Sequence, residues 1–475
     1  MRGVKHSLSK KWKSSSRATG HQKNKRHFVK KSVASVMLLN MLCLSALPAA
    51  MVFAEKAPAS STATKSTNQS TAASGIQKPE LNLKSAVLIE PTTGQILYAM
   101  NADQPLPPAS MTKMMTEYIV AEQVKQGKLK WTDQVTVGKN PEQTIGSRIF
   151  LAEGDVHTVE ELYIAMAVGS ANDATVALAE KVSGTEQEFV KLMNKTAQEM
   201  GMKTAYFINA TGLDRADMPK DFRPDTDKED VMSAMDAAIL GKHIVTDHPD
   251  YAKFTSIQSY KFRERDKAPI VNYNWMLESN KNIQNFKAYA YPGLDGLKTG
   301  HTQNAGNCFT STAVRNGVRL IGVVMGADSE AHRFTETKKL LDYGFDNFEV
   351  KQGVAGKSKV EGLDSVPVKK GVATSVGVVT DSDVSFIVPK GAEVKGVQFK
   401  TNLDSGDKLV APIKKGTKVG TITYTYNAEG MDQAQTKTVN LVTSDEVEKG
   451  SWFRLFFRAI KDLFVDLFDG IKNLF

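Results

Sequence analysis

Pro107-Pro108-Ala109-Ser110-Met111-Thr112-Lys113-Met114-Met115-Thr116 is the stretch whose reading decides the fold. The two prolines impose an extended entry that cannot continue a helix upstream. Beyond them, Met111, Met114, Met115, Tyr118, Ile119 and Val124 recur at helical spacing. The pattern predicts a helix opened by Ser110, with Lys113 one turn later on the same face. That geometry brings an amine within reach of a hydroxyl. The hydroxyl also sits at the positive end of the helix dipole, where developing negative charge is favoured. A serine becomes a useful nucleophile when a neighbouring base takes its proton. A lysine can be that base if burial or nearby cations lower its pKa. Ser-x-x-Lys alone is weak, since it also occurs at Ser7 to Lys10.

Working outward, Ser85–Ile89 and Gln95–Ala99 read as strands joined by the turn Pro91-Thr92-Thr93-Gly94, a hairpin just upstream. Downstream, Thr158-Val159-Glu160-Glu161 is a capping box before the apolar run Leu162 to Val168. That helix stops at Gly169-Ser170-Ala171-Asn172-Asp173, and a second runs over Ala174–Val182. Thr185 and Glu188 cap a third, which ends at Met200-Gly201. Strand signals return at Gly296–Thr302, Asn307–Val314 and Arg319–Met325, with the tight-turn pair Asn316-Gly317 between the last two. A last helix is expected over Glu330–Tyr343. Hairpin, helices, strand meander and helix together predict an α/β (α+β) domain: an antiparallel sheet completed by both chain ends, with helices on both faces. From about residue 348 short strands alternate with Gly, Asp, Lys and Pro turns. Thr421–Tyr426 and Val384, Phe386 and Val388 alternate strictly, which predicts a small all-β sandwich.

The net charge of +9 misleads. Residues 1–31 hold eleven Lys and Arg and no acid, and residues 32–54 carry no charge, so residues 55–475 sum to −2. The body has no electrostatic case for nucleic acid. A basic start and an apolar stretch ending Val52-Phe53-Ala54 read as a signal peptide over 1–54, which exports the rest. Residues 55–80, rich in Ser, Thr, Ala and Lys, read as a flexible linker. Of two cysteines, Cys43 lies in the leader, so Cys308 remains alone and reads as a buried small residue. Over 450–475, Trp452, Phe453, Phe456, Phe457, Ile460, Leu463, Phe464, Leu467, Phe468 and Ile471 recur at three- and four-residue steps. Charges break the run too often for a spanning helix. It reads as an amphipathic helix lying in a membrane surface.

Histidines 157, 243, 248, 301 and 332 have no metal-ligand spacing, no Gly-x-Ser-x-Gly motif is present, and no nucleotide loop appears. No cofactor or metal is expected. Two short stretches stand beside Ser110 and Lys113: Ser170-Ala171-Asn172 in a loop between helices, and Lys298-Thr299-Gly300 in a strand. The ordered set Ser-x-x-Lys, Ser-x-Asn, Lys-Thr-Gly has gaps of about 60 and about 130 residues. In these residues the sequence resembles the penicillin-recognising serine enzymes, and more closely the low-molecular-mass penicillin-binding proteins that are D-alanyl-D-alanine carboxypeptidases (peptidase family S11). Thr93–Tyr98, the Phe207–Asp214 turn, Gly296–Thr302 and Arg333–Leu341 extend the likeness over about residues 80–347. Ala171 departs from the Gly of many relatives.

The resemblance implies a penicillin-binding domain over 81–347, an all-β C-terminal domain over 348–446 and a membrane-anchoring helix over 450–475. It implies Ser110 as nucleophile, Lys113 as proton acceptor and Ser170 as proton relay. Asn172 would hold Lys113 and the substrate amide. Lys298, Thr299 and Arg333 would face the substrate carboxylate, Gly300 would admit its backbone, and the N–H groups of Ser110 and His301 would form the oxyanion hole. The implied activity is removal of the terminal D-alanine from peptidoglycan stem pentapeptides, with β-lactams as covalent inhibitors, on the outer face of the cell membrane. A transpeptidase, endopeptidase or β-lactamase on the same scaffold, or a non-catalytic cell-wall-binding or β-lactam-sensing module, are the alternatives.

Overall fold

A computed structural model describes residues 76–472 except 405–408, 430 and 432. The expected signal peptide, Cys43 and most of the expected linker lie outside the described residues, as do residues 473–475. Ile76, near the end of that linker, already packs against the core.

Strands β1 (Ser85–Glu90) and β2 (Gln95–Met100) form the expected hairpin. Then come helices α1 (Lys113–Lys125), α2 (Val159–Gly169), α3 (Asn172–Ser183), α4 (Glu186–Glu199) and α5 (Ala234–Asp247). Strands β3 (Leu294–Thr302), β4 (Gly306–Arg315) and β5 (Val318–Ala327) follow, and α6 (Glu330–Asn347) ends this part. The sheet order is β2-β1-β5-β4-β3, antiparallel throughout. The chain closes its own sheet by laying β5 beside β1, and this leaves β3 at an edge.

The two-residue period of the strands divides the core. Val87, Ile89, Ile321, Val323 and Met325 point to one face and meet Met111, Met114, Met115 and Ile119 with α5 residues Ala237, Ala238, Leu240 and Ile244. Ala86, Leu88, Phe309, Leu320 and Val324 point to the other and meet Phe334, Leu340 and Leu341 of α6. Asn316 and Gly317 both take positive φ, as their turn demands. The Thr158 capping box is present: its hydroxyl accepts from the Glu161 N–H, and the Glu161 carboxylate accepts from the Thr158 N–H at 2.8 Å.

Beyond α6, a five-stranded antiparallel sheet faces a two-stranded pair, Phe348–Val354 with Val384–Pro389. They share one core, centred on Val378, Val384, Phe386, Ile422 and Leu441. The terminal helix spans Trp452–Lys472. Trp452, Phe453, Phe457, Leu463, Phe464 and Phe468 are each 65–70% exposed, so nothing among the described residues covers this apolar face. No described helix is long and apolar enough to cross a membrane.

Candidate active site

The entry to α1 differs from the expected plain helix start. Ala109–Thr112 form a 3-10 turn, and the α-helix itself begins at Lys113. Pro108 supplies the carbonyl that accepts the Met111 N–H, and Ala109 takes φ 49° to fit this tight path. The turn is held from two sides by glycines. At Gly212 (φ 78°) a Cβ would fall 1.9 Å from the Ala109 oxygen, and at Gly300 it would fall 2.6 Å from the Pro108 oxygen. Neither position has room for a side chain.

This packing puts Ser110 at the floor of a cleft of about 420 Å³, lined also by Ser170, Thr299, Gly300, His301 and Arg333. Lys113 lies directly beneath. It is fully buried, with Nζ 2.9 Å from Ser110 Oγ and donating to the Thr211 carbonyl at 2.7 Å. Burial holds its pKa well below the ordinary lysine value, and Lys298 pushes it the same way. Glu117, Asp230 and Asp173 pull in the opposite direction. A neutral amine beside a hydroxyl is the chemistry of a general base.

Ser170 caps α2 with φ 52°, a left-handed position rare for serine. The fold holds it in place: the Ser147 hydroxyl donates to the Gly169 carbonyl at 2.9 Å and the Asn172 N–H donates to the Ser147 carbonyl at 2.7 Å. Asn172 departs from expectation. Its Nδ2 donates to the Ile145 carbonyl at 2.7 Å, Oδ1 is buried without a partner, and Thr211 rather than Asn172 accepts from Lys113. The reason is the Phe207–Asp214 turn. Asn209 Oδ1 accepts from the N–H groups of Thr211 and Gly212 and folds that turn back under α1.

On the edge strand, Lys298 and Gly300 share a face directed at α1. Lys298 is buried and donates to the Thr299 carbonyl at 3.1 Å, behind the cleft lining rather than in it. Burial lowers its pKa to about 8 against the pull of Glu117. Thr299 and His301 line the cleft, and His301 Nδ1 lies 3.2 Å from the Gly306 carbonyl oxygen. Arg333 reaches the cleft from the first turn of α6. It donates to the Gly300 carbonyl at 3.2 Å and to Glu330 Oε1 at 2.9 Å. Sequence reasoning missed Thr211, Glu117 and Glu330. A Glu four residues after Lys113 was the one available signal, and it reads equally well as a surface residue. Cys308 is buried and free, and burial pushes its thiol up to about 11. Among the described residues there is no cluster of ligands for a metal ion.

Residues 71–329 match the family described as D-alanyl-D-alanine carboxypeptidase, peptidase S11. The chain belongs to that family. It is a serine-type D-alanyl-D-alanine carboxypeptidase, an enzyme of the cell wall. Residues 348–449 of the carboxypeptidase match the penicillin-binding protein 5 C-terminal domain. It is 34% identical to the D-alanyl-D-alanine carboxypeptidase DacF of Bacillus subtilis, over 80% of this chain and 89% of that one. It is 36% identical to DacA of Haemophilus influenzae, over 77% and 86%. Among solved structures, a peptidoglycan synthesis regulatory factor (PBP3) from Streptococcus pneumoniae aligns with TM-score 0.64 and 32% identity, covering 77% of this chain and 99% of that one. Penicillin-binding protein 5 from Haemophilus influenzae aligns with TM-score 0.60 and 33% identity, covering 79% and 100%.

Proposed function

We propose that this carboxypeptidase removes the terminal D-alanine from peptidoglycan stem pentapeptides through an acyl-enzyme on Ser110. The contact between Lys113 Nζ and Ser110 Oγ carries the reading. Ser110 attacks the carbonyl carbon of the penultimate D-alanine while its proton passes to Lys113. The N–H groups of Ser110 and His301 receive the oxyanion, each such donor being worth about 10²–10³ in rate. The C–N bond then breaks, and the departing amine takes a proton through Ser170. Water attacks the ester, gives a proton to Lys113, and the Ser110 hydroxyl is restored.

The substrate backbone lies along β3, whose outer edge has no strand beside it among the described residues. Its terminal carboxylate is drawn by Thr299 and Arg333, with Lys298 contributing charge from behind. β-Lactams carry the same reactive carbonyl and carboxylate and acylate the same serine. The terminal helix, with its aromatic face open and Arg454, Arg458 and Lys461 between, holds the enzyme on a membrane surface outside the cell. Assay of free D-alanine from a soluble pentapeptide tests the reading. Release of one D-alanine per peptide is expected. Cross-linked product in place of free tetrapeptide, or cleavage at another bond without D-alanine release, would overturn it.

A further inference from the structure

Glu117 has no place in the mechanism above, yet it lies against its centre. It stands four residues after Lys113 on α1, on the same face, and is 2% exposed. Its Oε1 is buried without a hydrogen-bond partner. A carboxyl group kept out of water without a donor is costly unless it holds a proton or faces a cation. Two amines act on it through space, Lys113 from its own helix and Lys298 from β3, neither within ion-pair distance. The other titratable groups around it are Tyr163 of α2, whose hydroxyl donates to the Glu117 carbonyl at 3.3 Å, and Asp173 of α3. Asp230 lies on the Thr112 side, and Asp247, His248 and Asp250 follow from α5 onward. The far side of Glu117 lines a second cavity of about 330 Å³, separate from the substrate cleft and walled by Tyr118, Trp131, Tyr163 and His248.

We propose that Glu117 is a positioning residue for this reaction: its charge state acts through space on Lys113, one turn away on the same buried helix face, and so sets how much of that lysine is available as a base. A protonated carboxyl favours a neutral amine, and a carboxylate favours a protonated one. Only the first arrangement accepts the Ser110 proton. Burial favours it, since it places no charge in the interior. Burial raises the Glu117 pKa to about 7, against the opposing pull of Lys298 and Lys113.

The inference rests on Lys113 being the base. Glu117→Gln keeps the volume and removes the charged state that favours a protonated Lys113. The neutral amine then persists to lower pH. The acid limb of kcat/KM, and of acylation by a chromogenic β-lactam, should move down by about one pH unit or more, the reach of a neighbouring opposite charge. Glu117→Met serves the same purpose if the Gln variant does not fold. A merely structural role would change the rate and leave the limb where it is. Superimposable limbs in a folded variant overturn the proposal. Lys113→Ala, run alongside, separates the two claims: normal acylation there removes the base assignment itself.

Discussion

The Nζ of Lys113 and the Oγ of Ser110 are 2.9 Å apart, in a part of the core where the lysine has no exposed surface. Elsewhere in the chain a buried lysine would be a liability. Here desolvation and Lys298 push it toward the neutral form, and the Thr211 carbonyl accepts one of its hydrogens. Lys113→Ala should therefore fold, because it removes a group that the interior does not welcome. Its acylation rate should fall about 10²–10⁴-fold, as for loss of an acid–base group. Stopped-flow acylation with a chromogenic β-lactam reads this. An unchanged rate takes Lys113 out of the mechanism.

Gly300→Ala should damage both stability and activity. The added Cβ would sit 2.6 Å from the Pro108 oxygen and 3.2 Å from the Met111 nitrogen, so β3 and the Ser110 turn must separate. Overpacking of this kind costs about 1–3 kcal/mol. A thermal melt should show the loss, with a larger proportional drop in acylation than in stability. A variant with native melting and native acylation would show that the turn has slack.

Glu330 lies at the mouth of the cleft and holds Arg333 at 2.9 Å. A substrate carboxylate must share that guanidinium with it. Glu330→Gln should lower KM for the pentapeptide by up to about five-fold, since with Glu330 half exposed the pair is worth about 0–1 kcal/mol, with little change in kcat. A raised KM would mean that Glu330 orients Arg333 rather than competing for it.

The strands of the antiparallel sheet, the helices on its two faces and the three motif stretches were legible because each rests on local pattern. Strand alternation over Thr421–Tyr426, the Thr158 capping box and the Asn316-Gly317 turn all report themselves within a few residues. What the sequence hid was assembled across long separations. Thr211 is 98 residues from the lysine it accepts from. Glu117 is indistinguishable in sequence from a solvated glutamate until α1 is seen to be buried on more than one side. The 3-10 turn at Ser110 depends on Gly212 and Gly300 closing on it, which no window around Ser110 contains. Asn172 was assigned to Lys113 by resemblance, and its actual donor contact goes to Ile145 in another loop.

Removal of residues 452–475 should detach the enzyme from membranes without affecting its chemistry. Arg458 donates to the Gly371 and Val372 carbonyls of the β domain, but the aromatic face makes no such contact. In a vesicle sedimentation assay the full chain should pellet and the shortened one should stay in solution, with equal D-alanine release. Equal pelleting of both would place the membrane contact elsewhere.

A single serine should form the acyl-enzyme. Intact-protein and peptide mass spectrometry after brief exposure to a β-lactam tests it directly. One adduct is predicted, on the peptide carrying Ser110, and none in Ser110→Ala, which should also release no D-alanine. An adduct on any other residue, or labelling that survives in Ser110→Ala, would contradict the account.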